Sequence, residues 1–209
     1  MPSRKLSAQQ QEEQLASIVH VTLDNFCMAW RVAELLMTYT AARLPPPSAT
    51  VLFRGAGQPA RVSGENCGFF ITPVINMAAL DCRRSLEFFG LTCDHQTNQL
   101  RQMRARRNPD DLGIENFGLQ PVSRAQFIAA VSAVVPRGAE SRVVQMHKWS
   151  NKQLAHFTMS APTVTLPGVR DVSKLMIEAY FALLFDALGR PRPILNPSGK
   201  LPHPCSVNQ

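Results

Sequence analysis

Long apolar runs are missing from this chain. No stretch approaches the about 18 consecutive apolar residues of a membrane-spanning helix, and the segment from Met1 to Glu13 has no apolar core of the kind a secretory signal needs. The expected location is therefore the cytosol, with no membrane partner. Cysteine is scarce and unpatterned. Cys27, Cys67, Cys82, Cys93 and Cys205 are odd in number and form no Cys-x-x-Cys pair, which argues against a zinc or dithiol site and predicts reduced, buried thiols. Also missing are His-Glu-x-x-His, the phosphate-cradling Gly-x-x-x-x-Gly-Lys-Ser/Thr loop and the Gly-x-Ser-x-Gly elbow. His95 and His203 stand without partners in loop-like sequence, and His20, between Val19 and Val21, reads as a core or boundary histidine. No metal and no cofactor is expected.

Acidic charge is in deficit. Lys and Arg number 22 against 15 for Asp and Glu, a formal net charge of +7. Such a balance suits a polyanionic partner, because Lys and Arg gain affinity by releasing counterions from phosphates. With 45% hydrophobic and 18% charged residues the composition is globular, and a fold of this length buries roughly 70% of its extended-chain surface.

The first long signal is helical. Leu15, Val19, Leu23, Phe26, Trp30, Ala33 and Met37 recur every three or four residues across 8–43, and Pro45, Pro46 and Pro47 end the run. Short β-prone pieces, Thr50 to Phe53 and Ala60 to Val62, follow around Gly55-Ala-Gly57-Gln-Pro59 and predict an irregular excursion or hairpin over 48–68. Those glycines also match Gly-x-Gly-x-x-Ala, but a dinucleotide fingerprint must open a helix, and Pro59 with the Val-Ser-Gly-Glu-Asn run denies one.

A second helix is punctuated by Thr72 as cap, Pro73 at its first position and Gly90 as terminator. Residues 93–120 lack periodicity and carry Arg101, Arg104, Arg106 and Arg107, a solvated basic loop or a phosphate-gripping patch without interleaved aromatics. Ser123-Arg-Ala-Gln126 is a capping box for a helix to about Val135. Another helix runs from Gly138 to about Phe157, with Val143, Met146, Ser150, Leu154 and Phe157 inward. Pro162 and Pro167 mark a loop, and a last, largely apolar helix spans Ser173 to Leu188 with Gly189 as cap. The fold class is all-α: about five helices in one domain over 1–189, with 48–68 and 93–120 as insertions, and a Pro-rich, loosely ordered tail over 190–209.

Chemistry concentrates between Arg142 and Phe157. Ser150-Asn-Lys-Gln-Leu-Ala-His156 resembles the signature of the HEPN superfamily (higher eukaryote and prokaryote nucleotide-binding), in the Arg-Asn-Lys-x-x-Ala-His form of its abortive-infection members. Asn151, Lys152, Ala155 and His156 match; Ser150 stands where the arginine belongs. The helix order over 138–189 is also similar to the motif helix, loop and closing helix of that fold. The resemblance implies an HEPN-like helical bundle that cleaves RNA without metal as a homodimer, with an antitoxin or other protein as a further partner. His156 would act on the ribose hydroxyl.

A serine cannot supply the motif's positive charge, so the cation must come from elsewhere. Lys152 lies one helical turn, roughly 6 Å, before His156. Arg142 falls near the same face but about 21 Å away, within reach only from a second subunit. Arg142 and His147 repeat the loose Arg-x4-His spacing, although His147 and His156 point to opposite sides of a straight helix. The chemistry suits the residue types, since imidazole titrates near neutrality and a cation stabilises charge building on phosphate. The contrasting expectation is a non-catalytic helical module binding a protein or nucleic acid, in which Asn151 and His156 finish a helix end.

Overall fold

The structure, a computed structural model, describes residues 5–42, 49–53, 60–64, 68–94, 96–103, 111–151 and 164–195. It opens with α1 (Ala8–Ser17), which passes without a break through a π-helical stretch (Ile18–Leu23) into α2 (Asp24–Ala41). Ser7 starts it: its Oγ accepts from the Gln10 amide at 3.2 Å while Gln10 Oε1 accepts from the Ser7 amide at 3.0 Å, so two otherwise orphaned donors are satisfied. The wide turn of the π stretch slips the apolar stripe relative to an ideal helix. Ile18, Cys27 and Ala29 are buried, while Val19, Trp30 and Met37 are only half-buried. His20, expected in the core or at its boundary, is exposed; five residues after Leu15, it lies about 140° round the helix from it.

Strands β1 (Ala49–Phe53) and β2 (Ala60–Gly64) pair antiparallel, Ala49 opposite Gly64 and Phe53 opposite Ala60. The chain after β1 thus leads to a partner strand and not into a helix, which is the wrong context for a dinucleotide fingerprint. Helix α3 (Gly68–Phe89) begins a turn earlier than Thr72 and Pro73 suggest, with Pro73 inside it. So near the helix start, the proline forfeits a single intrahelical bond. Gly90 ends α3 at φ 83°, the left-handed conformation a helix terminator needs.

The aperiodic basic stretch hides a second hairpin. Strands β3 (Leu91–Asp94) and β4 (Gln99–Gln102) pair antiparallel with Cys93 opposite Leu100, and Asn98 takes a positive φ of 56° in the turn. Four-residue strands are too short to leave a clear alternation in sequence. A 3-10 turn (Ile114–Phe117) follows, its entry held by the Gly113 amide donating to Asn116 Oδ1 at 2.7 Å.

Helix α4 (Arg124–Val131) has the expected Ser123–Gln126 capping box, and α5 (Ala139–Trp149) begins after Gly138 at φ 74°. Helix α6 (Leu166–Tyr180) starts earlier than its stripe suggests, because Thr165 caps it by accepting from the Gly168 amide at 3.2 Å and Pro167 fits its first turn. It ends in a π-helical stretch (Phe181–Phe185), with Gly189 at φ 64°.

Helix α6 is the centre of the bundle, as its apolar circumference suggests. Val169, Val172, Leu175, Met176, Ile177, Ala179 and Tyr180 are all buried, and α6 packs against α2, α3, α4 and α5. Around Tyr180 the aromatic rings lock the layers together, with Phe89 at 5.0 Å and Phe88 at 5.7 Å between centroids. Edge-to-face and offset pairs of this kind add about 0.5–1.5 kcal/mol beyond burial. The Tyr180 hydroxyl donates to Ser85 Oγ at 3.1 Å, so the buried polar tip has a partner.

At 190–195, where the loose tail was expected to begin, two arginines pair with the bundle, while Ile194 is 90% exposed. Arg192 donates to Asp186 and to Glu178 and lies over the Phe181 ring, and Arg190 pairs with Glu12. Among the described residues no helix is long and apolar enough to cross a membrane. The prolines at 45–47 and at 162, Cys67 and Cys205, His95 and His203, and the tail from 196 onward lie outside the described residues.

Candidate functional site

Helix α5 is held from two sides, near its start by Arg142 and Glu140 and near its close by Lys148. On the inner side, Arg142 Nη1 lies 2.5 Å from Asp171 Oδ2, and Arg170 reaches Asp171 Oδ1 through Nε at 2.8 Å and Nη2 at 2.7 Å. Asp171 is 6% exposed. Two guanidiniums on one buried carboxylate satisfy both of its oxygens and fix α5 against the first turns of α6. Arg142 is thereby engaged within its own chain, a role that spacing along one helix could not disclose.

On the outer side, Glu140 joins three elements. Its carboxylate accepts both arms of Arg124 from α4, each at 2.7 Å, and the backbone amide of Leu100 from β4 at 2.8 Å. The Arg124 hydrogen bond, helped by the Leu100 amide, holds the Glu140 carboxyl below its usual range despite partial burial. Lys148 Nζ donates to Asn98 Oδ1 in the β3–β4 turn. The hairpin carrying Arg101, which is exposed on β4, is therefore docked on α5.

His147 is 3% exposed, on the buried side of α5 with Val143 and Met146. Its Nδ1 lies 3.4 Å from Asn151 Nδ2. Asn151 continues α5 into a wider turn with Ser150, and the His147 contact fixes its side chain against the preceding turn. Ser150, where the motif carries arginine, is fully buried, and its Oγ has no hydrogen-bond partner among the described residues. A guanidinium could not occupy that position without displacing core side chains.

Lys152 and His156 lie outside the described residues, as do Arg104, Arg106 and Arg107. Of the candidate residues the structure brings together His147 and Asn151; Arg142 lies about 14 Å before Asn151 along the helix, at 1.5 Å per residue, and is held by Asp171, while exposed Arg101 is carried on the docked hairpin. The sequence did not single out Asp171, Arg170 or Glu140; the i, i+1 Arg170–Asp171 pair on an apolar helix was the signal for the first two, since a carboxylate in such a helix needs a partner.

A second buried polar group lies on α3. Asp81 is 1% exposed, accepts from Asn25 Nδ2 at 2.7 Å and lies 3.7 Å from Arg84. Burial pushes its carboxyl up, against the hydrogen bond from Asn25 and the charge of Arg84. Cys82 beside it and Cys93 on β3 are buried free thiols; burial pushes Cys82 well up and Cys93 up to about 12. Thiols in that state are not nucleophiles near neutral pH. Among the described residues no cluster of His, Cys, Asp and Glu could hold a metal ion. Compared with known proteins, the chain matches no protein-family model, no characterised protein and no solved structure.

Proposed function

We propose that this chain is an HEPN-like helical protein that acts on RNA, a metal-independent endoribonuclease of the toxin or abortive-infection type. His156 is the acid–base group and Lys152 the cation beside it. The observation that carries the reading is the docking of the β3–β4 hairpin on α5: Glu140 holds the Leu100 amide and Lys148 holds Asn98. The strand bearing Arg101 is thereby attached to the helix that leads into the Asn151 motif, which supports a reading in which cationic charge and the motif serve one RNA. The succession of α5, connecting segment and α6 supports it further. Arg142, occupied by Asp171, serves the fold of this site in preference to its chemistry. The function is tested by incubating purified protein with single-stranded RNA in a chelator. Cleavage that His156→Ala abolishes supports the assignment; cleavage undiminished in that variant removes it.

A second reading is favoured by Ser150. With the motif's arginine position buried and filled by serine, the chain is a non-catalytic helical module that binds RNA or a protein through the same surface. It predicts binding without cleavage, and an affinity for RNA that falls steeply with salt. A homodimer and a protein antitoxin belong to the first reading.

A further inference from the structure

The outward face of α2 and of the π-helical stretch before it carries an apolar stripe that the bundle does not use. Val21, Met28 and Leu35 recur seven residues apart and are 49%, 50% and 49% exposed, with half-buried Val32 and Tyr39 beside them. Single exposed apolar residues are ordinary on a protein surface, whereas three large ones in heptad register along one helix form a seam. At about 100° per residue Met28 and Leu35 fall within about 20° of each other, and Phe26, Ala29 and Ala33, which fill the core, lie on the other side. The helix therefore has two apolar faces, of which the bundle buries one.

The charges within the stripe decide what fits the other. Asp24 lies four residues before Met28 and Arg31 three after it, on the same face. We infer that the stripe is a homotypic interface, in which a second copy of this chain lays its own α2 antiparallel across the first with the two-fold axis at Met28. In that arrangement Val21 meets Leu35 of the partner subunit, the two methionines meet each other, and Asp24 comes beside Arg31 of the partner subunit, twice over. A parallel pair would put Asp24 and its copy, and Arg31 and its copy, on opposite flanks of the seam, where each meets the apolar Ala29 or Leu36 side of the partner subunit and no acid–base pair forms. The stripe spans about 21 Å from Val21 to Leu35 at 1.5 Å per residue. That is short for the roughly 800 Å² per partner of a standard stable interface, so the pairing depends on concentration in the micromolar range. It lies on α2 and not on the motif helix, and so stands or falls apart from the RNA reading.

The test is sedimentation of the full chain between about 1 and 300 µM, together with site-directed crosslinking. The weight-average mass should rise from monomer toward dimer, and Met28→Lys, an exposed change that leaves the circular dichroism unaltered, should weaken the association at least tenfold. In a background with Cys67 and Cys205 replaced by serine, a short bis-maleimide should join Met28→Cys to itself and Val21→Cys to Leu35→Cys in a mixture. It should not join Val21→Cys to itself. A chain that stays monomeric throughout overturns the inference, whether the stripe is then covered by a segment of the same chain or by another protein. A dimer indifferent to Met28→Lys also overturns it, and strong self-crosslinking of Val21→Cys overturns the antiparallel arrangement.

Discussion

Replacing Asp171 by alanine removes the acceptor that Arg142 and Arg170 share. Asp171 is 6% exposed, and its two partners keep 38% and 32% of their side-chain surface in solvent. Breaking a fully buried pair from one side costs about 3–5 kcal/mol, chiefly because the abandoned charge stays in the interior. Here both guanidiniums can swing toward water, so the loss should be smaller, about 2–3 kcal/mol. For a chain of this size each kcal/mol moves Tm by about 2–4 °C, which gives a drop of about 5–10 °C. Arg142→Ala leaves Arg170 on both hydrogen bonds to Oδ1 and should cost about 1 kcal/mol. Urea denaturation of both single variants and the double variant measures the coupling, which should be favourable because the residues touch. An Asp171→Ala protein within about 0.5 kcal/mol of wild type would refute the view that this carboxylate fastens α5 to α6.

Other consequences follow from the same geometry. Glu140→Gln should speed hydrogen exchange at the Leu100 amide at least tenfold, since the β3–β4 hairpin loses the carboxylate that accepts from it and from Arg124; unchanged protection would mean the hairpin is held elsewhere. Because the Glu140 carboxyl sits below its unfolded value, its contribution is present above that unfolded value and is lost as pH falls through the folded one. The Gln variant and wild type should thus converge in stability at strongly acid pH. Asp81 has the opposite sign: burial raises its carboxyl above 3.8, so the folded state retains a proton that the unfolded chain releases, and stability declines as pH rises from 3.8 through the raised value. Asp81→Asn should remove that decline, and a variant keeping the wild-type pH profile would contradict the assignment. Cys82 and Cys93 should resist iodoacetamide at pH 8 in the native protein and react in denaturant, read by mass spectrometry; rapid native labelling would place them nearer the surface.

The helical architecture was legible because its cues are local. Ser123 and Gln126 announce α4, Gly90 and Gly189 end helices in the left-handed conformation, and the apolar circumference of α6 marks it as central. The hairpin at 49–64 was visible in its β-prone residues. What escaped was the information carried by other parts of the chain. The π-helical stretch at Ile18–Leu23 is one such feature, since no single-helix periodicity encodes it. The β3–β4 hairpin is anchored by Glu140, which is 40 residues from Leu100, so the basic run around it gave no strand signal of its own. For the site, spacing placed Val143, Met146 and Ser150 inward, where the structure has them, and read Arg142 as a cation for a second subunit's His156; its partner Asp171 was not legible because it is distant in sequence and adjacent only after α5 and α6 pack. His147, which spacing set on the side opposite His156, is a buried ring beside Asn151.

The most direct measurement is the initial rate of single-stranded RNA cleavage in excess chelator by wild type, His156→Ala, Lys152→Ala and Arg142→Ala, each below its melting temperature. The wild type should cleave, the His156 and Lys152 variants should lose at least about a hundredfold, and Arg142→Ala, though less stable, should keep its rate within about threefold. Absence of cleavage by the wild type, or a His156→Ala protein as fast as wild type, would contradict the proposal that this motif acts on RNA.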